Sequence, residues 1–183
     1  YPKNKGGWKS PTIMSVGIGQ GEMQLTTVQM ANLAAIFANK GHFYTPHLAK
    51  GFKNGFRVDE KYLTRNNVGI DSVHFPPVVQ GMIDVVERGT AFSSKIPGVI
   101  MAGKTGTVQN DHGDDHSTFI AFAPVEDPKI AIAVYVENAG GGGRFAAPIA
   151  SMIIEKYLKG EIDASRKWRE QQLLEADLIS KLP

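Results

Sequence analysis

The chain has no cysteine, so no disulfide braces it and its redox compartment stays open. It also has little net charge: +2 over 183 residues is too weak a field to imply nucleic acid or an anionic membrane surface as a partner. No apolar run is long enough to span a bilayer, and the first residues carry no signal-peptide pattern. The start at Tyr1 rather than Met reads as that of a processed or trimmed product. What is present, 42% hydrophobic and 21% charged residues, is the composition of a piece of an ordinary globular domain.

The most informative stretch runs from Gly98 to Thr107, Gly-Val-Ile-Met-Ala-Gly-Lys-Thr-Gly-Thr. Gly98 to Thr105 matches the phosphate-loop pattern G-x-x-x-x-G-K-T. That reading needs a bending loop between the glycines and a helix opening at the lysine. Val99, Ile100, Met101 and Ala102 instead make an apolar run suited to a strand, and Gly106, Asn110, Asp111 and Gly113 oppose a helix after it. A P-loop nucleotide hydrolase is the remote alternative. On a strand, Lys104 and Gly106 share one face while Thr105 and Thr107 share the other. A glycine there admits close approach of a second backbone, beside a fixed positive charge and a hydroxyl donor for a carboxylate. Those parts suit an edge strand that takes up an extended peptide and reads its anionic end.

Periodicity seats this stretch among helices and strands. Thr26 and Gln29 have capping-box spacing, and Met30, Leu33, Ala34 and Phe37 follow at helical intervals until Gly41. A second helix is predicted from Pro76-Pro77 to Gly89, with Val78, Val79, Met82, Val85 and Val86 on one face. Strands are predicted at 99–108, 117–124 and 130–137. The short link from Val125 to Lys129 makes the last two an antiparallel hairpin. A third helix with Pro148 in its first turn would turn Ile149, Ala150, Ile153 and Tyr157 to one side.

Ordered blocks surround the central strand: Val16-Gly-Ile-Gly-Gln-Gly21, Thr26-Thr-Val-Gln-Met30, Thr45-Pro-His-Leu48 and Gly89-Thr-Ala91. They continue with Ala102-Gly-Lys-Thr-Gly-Thr-Val-Gln109, Phe119-Ile-Ala-Phe-Ala-Pro124 and Val136-Glu-Asn-Ala-Gly-Gly141. On these blocks the chain resembles the C-terminal half of the transpeptidase domain of class B penicillin-binding proteins, on the elongation-type (penicillin-binding protein 2) side. The resemblance implies an α+β fold, an antiparallel sheet flanked by helices, with the first two of its five strands upstream. It implies a D,D-transpeptidase that cross-links peptidoglycan stem peptides, is acylated by β-lactams and works with cell-wall elongation proteins. Such an enzyme sits on the periplasmic side of a bacterial inner membrane and needs no cofactor and no metal. By the same resemblance, Lys104 is catalytic and sets the field around the nucleophile. Thr105, Gly106 and Thr107 form the substrate-binding strand, the two threonines donating to the carboxylate.

That family needs a nucleophilic serine in S-x-x-K, and S-x-N or S-x-D, ahead of the KTG strand. No serine from Ser10 to Ser180 has lysine three residues on or asparagine two residues on, and no G-x-S-x-G elbow replaces them. The chain is therefore expected to hold the substrate-binding wall, with those motifs upstream of Tyr1, and to be inactive alone. A non-catalytic peptidoglycan- or protein-interaction module on the same fold is the alternative.

Residues 1–160 are assigned to the domain and 161–183 to a charged extension. Trp168, Leu173, Leu174, Leu178 and Ile179 there form a loosely helical stripe that packs on the domain or frays. Without its upstream neighbours, the strand at 130–137 would present an apolar edge and recruit another chain or the missing half. His112, His116, Asp114 and Asp115 are metal-ligand types, but Gly113 and the acids favour a solvated loop. Such a loop could rim the cleft and meet an amino group of a stem peptide. Gly17, Gly19 and Gly21 lack the spacing of a dinucleotide fingerprint and read as a flexible loop. His42, His47 and His74 read as structural or surface groups. Trp8 would plug a core or line a groove.

Overall fold

The computed structural model describes residues 9–21, 23–51 and 57–178; Trp8 and Ile179 lie outside them. An unforeseen first helix, α1 (Ser10–Gly17), has proline in its first turn. Gly19 and Gly21, both at positive φ, shape the turn after it, whereas Gly17, read from the sequence as part of a loop, is the last residue of the helix. Helix α2 (Thr27–Ala38) begins where the spacing predicts. Gln29 N–H donates to Thr26 Oγ1 at 3.4 Å, and Thr26 N–H donates to Gln29 Oε1 at 2.8 Å. Reciprocal caps of this kind contribute about 1 kcal/mol.

A small ribbon follows, with β1 (His42–Phe43) antiparallel to β2 (Asn66–Asn67) and the short α3 (Glu60–Leu63) between them. Arg65 reaches His42 Nδ1 at 3.2 Å, and the His47 ring packs on Tyr62, so both histidines act locally. Helix α4 (Phe75–Glu87) carries the Pro-Pro pair in its first turn and buries Phe75, Met82 and Val86. Val78, assigned to that face from the sequence, is exposed.

The sheet has three strands: β3 (Ala102–Val108), β4 (His116–Ala123) and β5 (Ile130–Val136), antiparallel in the order β3-β4-β5. β3 starts three residues later than expected, because Ile96 and Val99 pair across a turn at Pro97-Gly98, where Gly98 has φ +72°. Register fixes the two faces. Ala102, Phe122 and Ala131 lie together, and Met82 packs on them with Phe37 and Val79 at the side. Gly103, Phe119, Ala121 and Ile132 share the opposite face, under helix α5 (Ala146–Lys159). Phe119 is fully buried, and a Cβ on Gly103 would collide with Cζ at the tip of its ring.

α5 buries Ala146, Ala147, Ala150, Ser151, Ile154 and Glu155. Of the stripe expected from Ile149, Ala150, Ile153 and Tyr157, Ala150 is fully buried, whereas Ile153 and Tyr157 are 46% and 64% exposed. Phe119 fills the space beneath the first turns of the helix, where small alanines face the sheet; Ile154 completes the buried side further along, while Ile153 and Tyr157 turn outward. After Gly160, a turn at Ala164–Arg166 leads into α6 (Lys167–Leu174). The Asp163 carboxylate caps that turn, and its bonds from Ser165 Oγ and N–H hold its pKa below the usual carboxylate range. Arg166 is what fastens the segment. Its guanidinium pairs with the fully buried Glu155 and donates to Ser151 Oγ at 2.6 Å. Of the expected apolar stripe, Trp168 and Leu174 remain exposed, while Leu173 and Leu178 are half-buried.

Candidate functional site along the open edge of the third strand

β3 pairs on one side only, with β4, so its other edge is free of strand partners among the described residues. The register places Lys104 opposite Ile120 and Gly106 opposite Thr118, with Thr105 opposite Phe119 and Thr107 opposite Ser117. The alternation predicted from sequence is therefore present, and the exposed half of the strand begins at Lys104. Lys104 stands in mid-strand and the strand runs on to Val108. No helix opens at the lysine, so the geometry a phosphate loop requires is missing.

Each polar group on this edge is held by a second contact. Lys104 Nζ donates to the Thr105 carbonyl at 2.6 Å, which lays its charge along the strand. Thr105 Oγ1 lies 2.8 Å from Thr90 Oγ1, on the loop that follows α4. Thr107 Oγ1 accepts from the Gly142 N–H at 3.4 Å, which leaves the threonine's own proton free to be donated. Gly142 belongs to a glycine-rich strap, and a Cβ on it would collide with the Gly106 and Thr118 backbone. Glycine is required there because the strap crosses directly over β3 and β4.

The buried Ser117 hydroxyl fastens the strap. It donates to the Gly141 carbonyl and accepts from the Ala146 N–H, both at 3.1 Å. Sequence reading missed Thr90 and Ser117. Thr90 stands inside a block noted for resemblance alone, and Ser117 was scanned only as a nucleophile.

The loop between β3 and β4 is built by hydrogen bonds internal to the fold. Asn110 Nδ2 donates to Asn138 Oδ1 at 2.7 Å, and Gly140 N–H donates to the Asp115 carbonyl at 2.7 Å. His116 Nδ1 accepts from the Asn138 N–H at 3.0 Å, and its ring packs on Tyr135. Burial and the nearby Glu137 push the Tyr135 hydroxyl above its ordinary range. Among the described residues, no three His, Cys, Asp or Glu side chains converge as a metal site would require. No helix among them is long and apolar enough to cross a membrane.

Residues 2–155 match the family model described as the penicillin-binding protein transpeptidase domain. The chain is 32% identical to the peptidoglycan D,D-transpeptidase MrdA of Haemophilus influenzae, over 88% of this chain and 28% of that protein. It is 34% identical to the peptidoglycan D,D-transpeptidase PbpA of Mycobacterium tuberculosis, over 83% of this chain and 33% of that protein. Among solved structures, PBP2 of Pseudomonas aeruginosa in complex with WCK 5153 aligns with a TM-score of 0.73. It is 37% identical, over 86% of this chain and 35% of that one. The imipenem acyl-enzyme of penicillin-binding protein A from M. tuberculosis aligns with a TM-score of 0.67 at 32% identity, over 79% of this chain and 33% of that one. The chain thus spans about a third or less of the length of these relatives.

Proposed function

Because the chain belongs to the penicillin-binding protein transpeptidase family, we propose that it is the substrate-binding wall of a peptidoglycan D,D-transpeptidase of the penicillin-binding protein 2 type. In this reading the whole protein cross-links stem peptides during cell-wall elongation, on the periplasmic side of the inner membrane and beside elongation proteins. Residues 1–160 belong to the transpeptidase domain and 161–183 to a C-terminal extension. The observation that carries the reading is the open edge of β3, with Lys104 and Thr107 exposed and Thr105 and Gly106 half-buried between them.

An extended donor peptide, or a β-lactam, lies along that edge as an added strand. Gly106 lets its backbone approach, and the Thr105 and Thr107 hydroxyls donate to its terminal carboxylate. A serine from outside these 183 residues attacks the amide carbonyl of the donor or of the lactam ring. The acyl group passes to that serine and the hydroxyl proton passes to the nitrogen of the broken amide; the amine departs from a donor peptide and stays tethered in the opened lactam. Lys104 supplies positive charge beside this nucleophile.

In the full-length protein, Thr107→Ala removes a hydrogen bond to a charged group. It is expected to slow β-lactam acylation by about 10- to 100-fold, as followed by competition with a fluorescent penicillin. The 183-residue chain should form no covalent penicillin adduct by mass spectrometry in the same assay. Undisturbed acylation of the Thr107→Ala protein, or an adduct on the short chain, would contradict the assignment.

A further inference from the structure

Thr90 lies outside the strand and outside the K-T-G-T run, yet its side chain is built into the same edge. Its Oγ1 is 2.8 Å from Thr105 Oγ1, a contact across fifteen positions of sequence. The loop that carries it is fixed on both sides. Ala91 N–H donates to the Val85 carbonyl at 3.0 Å, Phe92 N–H donates to the Gly89 carbonyl at 3.1 Å, and Ala91 is fully buried. On the strap side, a Cβ on Gly143 would meet the Thr90 carbonyl oxygen at 2.5 Å, so strap and loop are in contact. Thr90 is nonetheless exposed, on the solvent side of the edge.

Proton counting gives this arrangement a consequence. Each hydroxyl has one proton to donate and two lone pairs with which to accept. Two hydroxyls that share one hydrogen bond commit one proton to each other and keep the second free. If Thr90 donates, Thr105 can offer its proton outward; if Thr105 donates, the outward proton is that of Thr90. Thr107 offers its own, since its oxygen accepts from Gly142. Threonines two positions apart on a strand stand about 6.5–7 Å apart. A carboxylate accepting a bond of about 2.7 Å from each side fits between them.

We infer that Thr90 is a positioning residue for carboxylate recognition: its hydroxyl orients that of Thr105, so that the pair presents one fixed donor to the substrate's anionic end. The inference rests on the peptide- and β-lactam-binding role proposed for the β3 edge, and it adds a residue to that role. Without Thr90 the Thr105 hydroxyl rotates freely and part of its bond to the carboxylate is lost. Serine at position 90 keeps the oxygen and keeps the function.

The test uses the full-length protein and two probes, a penicillin with its free carboxylate and the methyl ester of the same penicillin. The quantity read is the ratio of the second-order acylation rates for acid and ester. Thr90→Val is expected to lower that ratio by about 2- to 12-fold, the worth of one ordinary hydrogen bond. The loss should fall on the binding constant rather than on the acylation step, with Thr90→Ser restoring the ratio. In a Thr105→Val background, adding Thr90→Val should change nothing further. Thermal melting checks the fold of each variant, and Thr90→Ala supplies the same deletion if valine crowds the strap.

An acid-to-ester ratio equal to that of the wild type in Thr90→Val or Thr90→Ala would overturn the inference. So would losses that simply add in the double variant. A wild-type protein that does not distinguish acid from ester would instead overturn the carboxylate-reading role of the β3 edge itself, which separates the two failures.

Discussion

Gly103 shows how one residue couples the core to the candidate site. It immediately precedes Lys104, and its missing side chain leaves room for the Phe119 ring on the sheet face under α5. Any Cβ there must displace Phe119 or push β3 outward, and the outward shift moves Lys104 and Thr105 as well. Gly103→Ala is therefore expected to cost about 1–3 kcal/mol in chemical denaturation, the usual range for overpacking. Phe119→Leu in the same chain should recover part of that cost, because the two residues occupy one space. Simple additivity would mean that the ring is not what excludes a side chain. The position was readable in sequence as a glycine in a strand, but its neighbour was not. Phe119 lies on another strand, and only register brings it over Gly103.

Among elements, local chemistry was legible and distant chemistry was not. The start of α2 was visible because a capping box joins residues three apart, and the first turn of α4 because proline suits that position. The alternation of β3 was visible for the same kind of reason. The buried stripe of α5 was misassigned at Ile153 and Tyr157, where bulk was taken as the mark of the core, whereas Ala146, Ala147, Ala150 and Ile154 are what pack around Phe119. The unread signal was the small residues Ala146, Ala147 and Ser151 on either side of Ala150, on the face that also buries Glu155.

Arg166 was likewise passed over inside a charged stretch that reads as solvated. In the fold it supplies the counter-charge for Glu155, whose other oxygen meets Lys159 at 3.2 Å. Removing Arg166 leaves one oxygen of the fully buried Glu155 without its counter-charge, with Lys159 on the other oxygen alone. Arg166→Met is thus expected to lose about 3–5 kcal/mol. The double variant Glu155→Met with Arg166→Met should lose less than Arg166→Met alone, since no charge is then left unpaired. A double variant at least as unstable as Arg166→Met would show that the pair itself, and not relief of an orphaned charge, holds the extension on α5.

At the scale of the molecule, the sheet is open on both sides among the described residues, and the two edges are not equivalent. The β3 edge ends in Lys104 and polar hydroxyls, with charge that discourages indiscriminate strand pairing. The β5 edge is Ile-Ala-Ile-Ala-Val-Tyr-Val, without a charged residue from Ile130 to Val136. Near the start of the described chain, Ile13, Met14, Ile18, Leu25 and Val28 are also exposed, far more apolar surface than isolated surface residues explain. The relatives are about three times as long, and in the proposed reading two further strands lie ahead of this segment. The proposed whole protein would therefore cover the β5 edge with its own chain. The 183-residue chain alone is expected to cover it with another copy. Sedimentation velocity should then show a weight-average mass above that of one chain, rising with protein concentration. Adding a polypeptide that carries the upstream half of the domain should reverse the rise by replacing the homotypic contact. A monomer whose mass stays constant across the concentration range would mean that the β5 edge does not recruit a strand, and that three strands between α2, α4 and α5 suffice as a closed unit.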